Sequence, residues 1–240
     1  MNRALIGLLC VLLFSCKTEE TRTDVYSVLR DVTDPLLADV NADEITGAMH
    51  LENMDRNVVL RYSEISDVDM HIVEQVVFKK PVTGLLGNEV ENTKTVRTFK
   101  KDIAEVLTPK DTLVLVSHSA IFVPILQEIQ YLNSLPDAGD KILVVYSNLM
   151  ENDPSWLSFY RSEDVLALYH TPESIVQRYL SKADMTDKLI DVSVHIIYMP
   201  SDIKDNRRFN ALRSCYMMVF SELGISLSFS GNITQALVVL

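Results

Sequence analysis

Apolar and polar positions along this chain follow two different periods, and the switches between them outline its elements. Residues 25–30, 58–65 and 70–78 are short runs rich in β-branched and aromatic side chains, the pattern of strands. Only Ser66-Asp67-Val68-Asp69 separates the second run from the third, a connection short enough for a hairpin. The period then becomes helical. Val96, Phe99, Ile103 and Leu107 share one face of a helix predicted over residues 93–107, and Pro109 follows its end. Ile121, Ile125, Ile129 and Leu132 do the same over residues 120–133. A weaker helix is predicted over residues 42–51, a loop over residues 81–92, and an apolar run over residues 112–116.

The second half is clearer. Residues 141–146, Lys-Ile-Leu-Val-Val-Tyr, are almost continuously apolar, which suits a central strand covered on both faces. Thr171-Pro172-Glu173 reads as an N-cap with proline at the first helical position, ahead of Ile175, Val176, Tyr179 and Leu180. Residues 192–199 form another buried strand. Phe209, Leu212, Tyr216, Val219, Phe220 and Leu223 then stripe a helix, with Gly224 at its C-terminal cap position. Residues 225–229 form a last strand, and the apolar tail to Leu240 is expected to pack on the domain. Strand and helix thus alternate at βα spacing. This predicts a doubly wound α/β fold: a mostly parallel sheet, one antiparallel edge hairpin, and helices on both faces.

The N-terminus reads differently. Arg3 precedes an uncharged apolar run over residues 4–14, the layout of a secretory signal, and the run is about half the roughly 20 residues a spanning helix needs. Leu13-Phe14-Ser15-Cys16 resembles the lipobox of bacterial lipoproteins, with Phe14 bulkier than usual. The resemblance implies a diacylglycerol on the Cys16 thiol and cleavage before it. The expected division is a signal peptide over residues 1–15, a lipidated tether over residues 16–23, and one domain over residues 24–240. Lys17-Thr18-Glu19-Glu20 also resembles the surface-export signal of Bacteroidetes lipoproteins. Together these imply a cell-envelope protein, lipid-anchored to the outer membrane and in reach of the surface.

Charge and cysteines agree with that picture. A net charge of −11 over 240 residues, with no basic stripe, argues against a nucleic-acid partner. Of three cysteines, Cys10 lies in the signal and Cys16 takes the lipid. Cys215 is then alone, in an apolar helical stripe, as a buried thiol.

Strand, helix, hairpin, then repeated helix–strand units resembles the von Willebrand factor A domain, over residues 24–232. The resemblance rests on element order and a few positions. It implies a Rossmann-like fold that in many members holds a divalent cation at the carboxyl end of the sheet. The family's first metal motif, Asp-x-Ser-x-Ser, follows the first strand. Here Asp31-Val32-Thr33-Asp34-Pro35 stands there: Asp31 matches, Thr33 replaces a serine, and Pro35 removes the last hydroxyl. The second element is a hydroxyl at a helix start, for which Ser117 and Ser119 are candidates and Ser119 is preferred. The third is an aspartate after the central strand, where Asn148 stands instead, with Glu151 as a further oxygen source. Mg2+ takes about six hard oxygens, several from water, and only one or two carboxylates, so Asp31, Thr33, Ser119 and Asn148 are the candidate ligands. The competing reading of Asp31 and Thr33 is a capped turn that satisfies its own backbone N–H groups.

The function these features imply is non-catalytic: a membrane-tethered domain that binds a protein partner, assisted by a cation. One alternative is a serine hydrolase. Ser117-His118-Ser119 follows an apolar run and precedes a helix, as a nucleophile elbow does, although Ile121 holds a position that the strained turn needs small. His170 or His195 would be its base, with Asp153 or Asp164 as orienter. His195 alternates with apolar residues in a strand, the setting of a core histidine. The other alternative is a structural subunit of an envelope assembly. Trp156, in Asp153-Pro154-Ser155-Trp156, is expected in a loop, as a contact residue or a buried anchor.

Overall fold

The fold was analysed in a computed structural model, which describes residues 22–33, 37, 40–49, 51, 56–65, 72–80, 89–108, 118–183 and 191–237. Its strands are β1 (Thr23–Asp31), β2 (Asn57–Ile65), β3 (Glu74–Phe78), β4 (Ala138–Tyr146), β5 (Asn152–Asp153), β6 (Leu157–Ser158), β7 (Ser193–Ile197) and β8 (Ser226–Ser230). Its helices are α1 (Ala42–Ala48), α2 (Glu89–Leu107), α3 (Phe122–Asn133), α4 (Ser162–His170), α5 (Pro172–Ala183), α6 (Ile203–Glu222) and α7 (Ile233–Leu237).

Six strands form one sheet in the order β3-β2-β1-β4-β7-β8, parallel except for β3, which runs antiparallel to β2 at the edge. This is the doubly wound α/β architecture predicted from the alternation, with the antiparallel edge where the hairpin was expected. The side-chain period of a strand is two, so β4 feeds both faces. Leu143 and Val145 join α3, α4, α5 and α6 in one core. Ile142, Val144 and Tyr146 join α1, α2 and α7 in the other. A strand covered on both sides has no polar face, which explains the continuous apolar run.

Several boundaries move. β1 and β4 begin earlier than predicted, and α2 begins at Glu89, ahead of the predicted Thr93. Thr23, assigned to the tether, already belongs to β1. α6 ends as its sequence suggests. Gly224 has φ +75°, its N–H donates to Ser221 O, and Ile225 N–H donates to Phe220 O at 2.9 Å, the paired bonds of a Schellman cap. Pro172 opens α5. Ile233 is buried against the second core, so the start of the tail packs as expected.

Three elements went unpredicted: the β5–β6 hairpin, α4, and the short α7 in the apolar tail. Strands of two residues carry no readable period. α4 leaves Leu166 and Tyr169 exposed, which blurs its apolar face. The apolar run over residues 112–116, Ser117, the 66–69 connection and all of residues 1–21, Cys16 included, lie outside the described residues. Among the described residues, no helix is long and apolar enough to cross a membrane.

One charged pair is built into the first core. Arg61 of β2 meets Glu128 of α3 at 2.7 Å, Ser27 of β1 donates to the same carboxylate at 2.8 Å, and Arg61 lies 3.7 Å over the Tyr131 ring. Both ions are buried, so each depends on the other to offset lost hydration. The pair pins α3 to β1 and β2, and α3 carries Ser119 just ahead of its first turn.

Candidate functional site

The strand order reverses between β1 and β4, and open α/β sheets bind ligands at the carboxyl ends of strands flanking such a switch point. Asp31 ends β1. Ser147 and Asn148 follow β4 directly, and β1 and β4 are hydrogen-bonded neighbours. Topology therefore brings together groups more than a hundred residues apart.

Asp31 is almost fully buried, and donors from Thr33 and Ser147 converge on its carboxylate. Thr33 N–H donates to Oδ1 at 3.0 Å and the Thr33 hydroxyl lies 2.5 Å from the same oxygen. The Ser147 hydroxyl donates to Oδ2 at 2.9 Å. Thr33 Oγ1 also lies 2.9 Å from Ser119 Oγ, across 86 residues of sequence. The structure thus gathers Asp31, Thr33 and Ser119. The local turn at Asp31 and Thr33 exists as well, so the capped-turn reading and the convergence describe the same atoms.

Asn148 arrives on the neighbouring loop. Its side-chain oxygen accepts from Met150 N–H at 2.8 Å, an Asx-type turn that shapes the loop. Leu149, next along, is fully buried with φ +60°, a left-handed conformation that costs a branched side chain of the order of 1 kcal/mol. Ser147 was not singled out from the sequence as a ligand. Leu29 and Asp31 share a face of β1 and Val145 and Ser147 share the same face at β4, a match that follows only from the pairing of Leu29 with Val145.

Glu151 does not reach into this cluster as an oxygen source. It is wholly buried and turns to the start of α3, where Ile121 N–H lies 3.2 Å from both its oxygens and Phe122 N–H lies 3.0 Å from Oε2. Burial pushes its carboxyl up to about 8, aided by the charges of Asp153 and Asp31 and opposed by the two backbone N–H groups. Below that pH it is mainly a neutral acid.

Other candidates are placed elsewhere. His195 is buried on β7 and its Nδ1 lies 2.6 Å from Ser228 Oγ on β8, while Nε2 has no partner among the described residues. It is a core histidine only half satisfied, and burial lowers its pKa, which favours the neutral ring. His118 and His170 are exposed. Asp164 is committed to Ser158 N–H and to Arg178 at 2.6 Å. Ser119 Oγ accepts from the Thr33 hydroxyl at 2.9 Å. Trp156 is a partly buried anchor, its ring 5.4 Å from Tyr179 and 6.3 Å from Phe122. Cys215 is buried in α6, which pushes its thiol up to about 11.

One carboxylate and two hydroxyls are oxygens of the kind a small hard cation takes. Among the described residues no group of three or more His, Cys, Asp or Glu gathers to hold a metal, so the set is one carboxylate with hydroxyls. Adjacent ligands of an octahedral Mg2+ lie about 2.9 Å apart, given bonds of about 2.0–2.1 Å. The Thr33–Ser119 oxygen separation, 2.9 Å, is that of a hydroxyl hydrogen bond and also falls at that edge, whereas the Thr33–Asp31 separation, 2.5 Å, is shorter than it. Comparison with known family models and with curated proteins finds no match to this chain.

Proposed function

We propose that this chain is a membrane-tethered, non-catalytic binding domain of the von Willebrand factor A type, in which a divalent cation at the switch point assists recognition of a protein partner. The observation that carries this reading is the Thr33 hydroxyl, which lies between the Asp31 carboxylate and the Ser119 hydroxyl and gathers three hard oxygens at the switch point. Asp31, Thr33 and Ser119 would hold the ion, and the Asn148 loop would border it. A bound Mg2+ would supply positive charge and open coordination positions for an oxygen of the partner. The lipobox-like Cys16 supports a lipid anchor and an envelope location for the domain.

The test is calorimetric titration of the full chain in detergent with Mg2+ and Mn2+, beside an Asp31→Ala variant. Binding by the parent and its loss in the variant is the expected outcome. No binding by the parent, or identical binding by both, would refute cation assistance.

A further inference from the structure

We propose that Glu151 is a positioning residue: its buried carboxyl group fixes Ser119 at ligand distance from Thr33 and Asp31 by serving as the missing N-terminal cap of α3. The inference builds on the cation reading above, but the geometry of the clamp stands separately.

α3 cannot cap itself. A helix leaves its first N–H groups without intrahelical acceptors, and a Ser, Thr, Asp or Asn side chain at the N-cap commonly supplies one. Ile121 occupies that position in α3 and makes no side-chain cap bond. Glu151, thirty residues later, supplies the acceptor, taking Ile121 and Phe122 N–H at 3.0–3.2 Å. Ser119 lies only two residues before Ile121, so holding the helix start holds Ser119.

The loop bearing Glu151 holds Ser119 a second time. Ser119 N–H donates to Asn152 O at 3.1 Å, and Asn152 N–H donates to Ser119 O at 2.7 Å. The same loop is tied back to Asp31. Glu151 N–H donates to Leu149 O at 3.0 Å, Leu149 N–H donates to Ser147 Oγ at 2.9 Å, and Ser147 Oγ donates to Asp31 Oδ2. Phe159 N–H secures Glu151 from the other side, donating to its backbone oxygen at 2.9 Å. One residue therefore joins the two segments whose hydroxyls must stay in register with Asp31. A carboxyl left in the core for packing alone would be a poor choice, because burial without such partners is costly.

The experiment compares the full chain with Glu151→Ala and Glu151→Gln, using amide hydrogen exchange and Mn2+ binding. Glutamine keeps a carbonyl acceptor and nearly the same shape; alanine keeps neither. In Glu151→Ala, exchange should quicken by roughly tenfold or more at Ile121, Phe122, Asn152 and Thr33, the scale of one lost hydrogen bond, while Val144 and Val194 stay protected. Mn2+ affinity should fall by a similar factor. Glu151→Gln should restore both to within about threefold. Unchanged protection at Asn152 and Thr33 in the alanine variant would overturn the proposal, as would a glutamine variant no better than alanine. Should alanine unfold the chain, Glu151→Asp, one methylene shorter, is read in its place. A parent chain that binds no Mn2+ would sink the cation reading alone, since the exchange measurement decides the clamp without metal.

Discussion

Replacing Glu151 with glutamine also tests how a buried acid affects stability across pH. The carboxyl is raised from its ordinary 4.5 to about 8, chiefly by burial. The folded chain therefore keeps this proton to a higher pH than the unfolded chain does. Between those two values the native state binds more protons, so stability falls as pH rises. The contribution is fully present below about 4.5 and is lost by about 8. At about 1.4 kcal/mol for each pH unit, the loss from pH 5 to pH 8 approaches roughly 4 kcal/mol. Glutamine cannot ionise, so the variant escapes that loss. Urea unfolding followed by the fluorescence of Trp156, the one tryptophan in the chain, gives the assay. Subtracting parent from variant cancels other groups that titrate in the window. The stability difference should grow in the variant's favour by roughly 4 kcal/mol between pH 5 and pH 8. A difference that stays constant with pH would show that Glu151 is ionised and well solvated in the native state, and would refute the argument.

Four further outcomes are expected, three from the geometry and one from the N-terminal sequence. Thr33→Val removes the hydroxyl that bridges Asp31 and Ser119, and should weaken Mn2+ binding by about tenfold in calorimetry and also lower stability by about 1–3 kcal/mol, since the buried Asp31 carboxylate loses a donor. Glu128→Ala strands a buried Arg61 and should cost about 3–5 kcal/mol in urea unfolding, whereas exchanging both partners for apolar residues should cost far less. Gly224→Ala places a side chain at φ +75° and should cost about 1 kcal/mol, read as a lowered melting temperature. Mass spectrometry of the chain from its native host should yield a diacylated peptide beginning at Cys16; an intact N-terminus at Met1 would rule out the anchor.

Apolar periodicity by itself determined the class of this fold. Period two and period 3.6 are local properties, legible in β4, in the stripe of α6 and in the Gly224 cap, because each rests on side chains close in sequence. Asp31, Thr33 and Ser119 were legible as candidates through the resemblance to the von Willebrand factor A domain, whose motif positions they match. Their distances were not legible. Whether the Thr33 and Ser119 hydroxyls meet depends on which strands are neighbours, and the order β1-β4 at the switch point is a non-local outcome of packing. The same holds for Ser147, whose role comes from facing Asp31 across paired strands. Glu151 shows the limit most clearly. In sequence it is one more acid after a strand, a plausible oxygen for a cation. In the fold it is sealed in the core, because α3 lacks a capping side chain and that loop is the one that reaches its first turn. Local pattern thus set the elements, while long-range pairing decided which oxygens meet and which acid is buried.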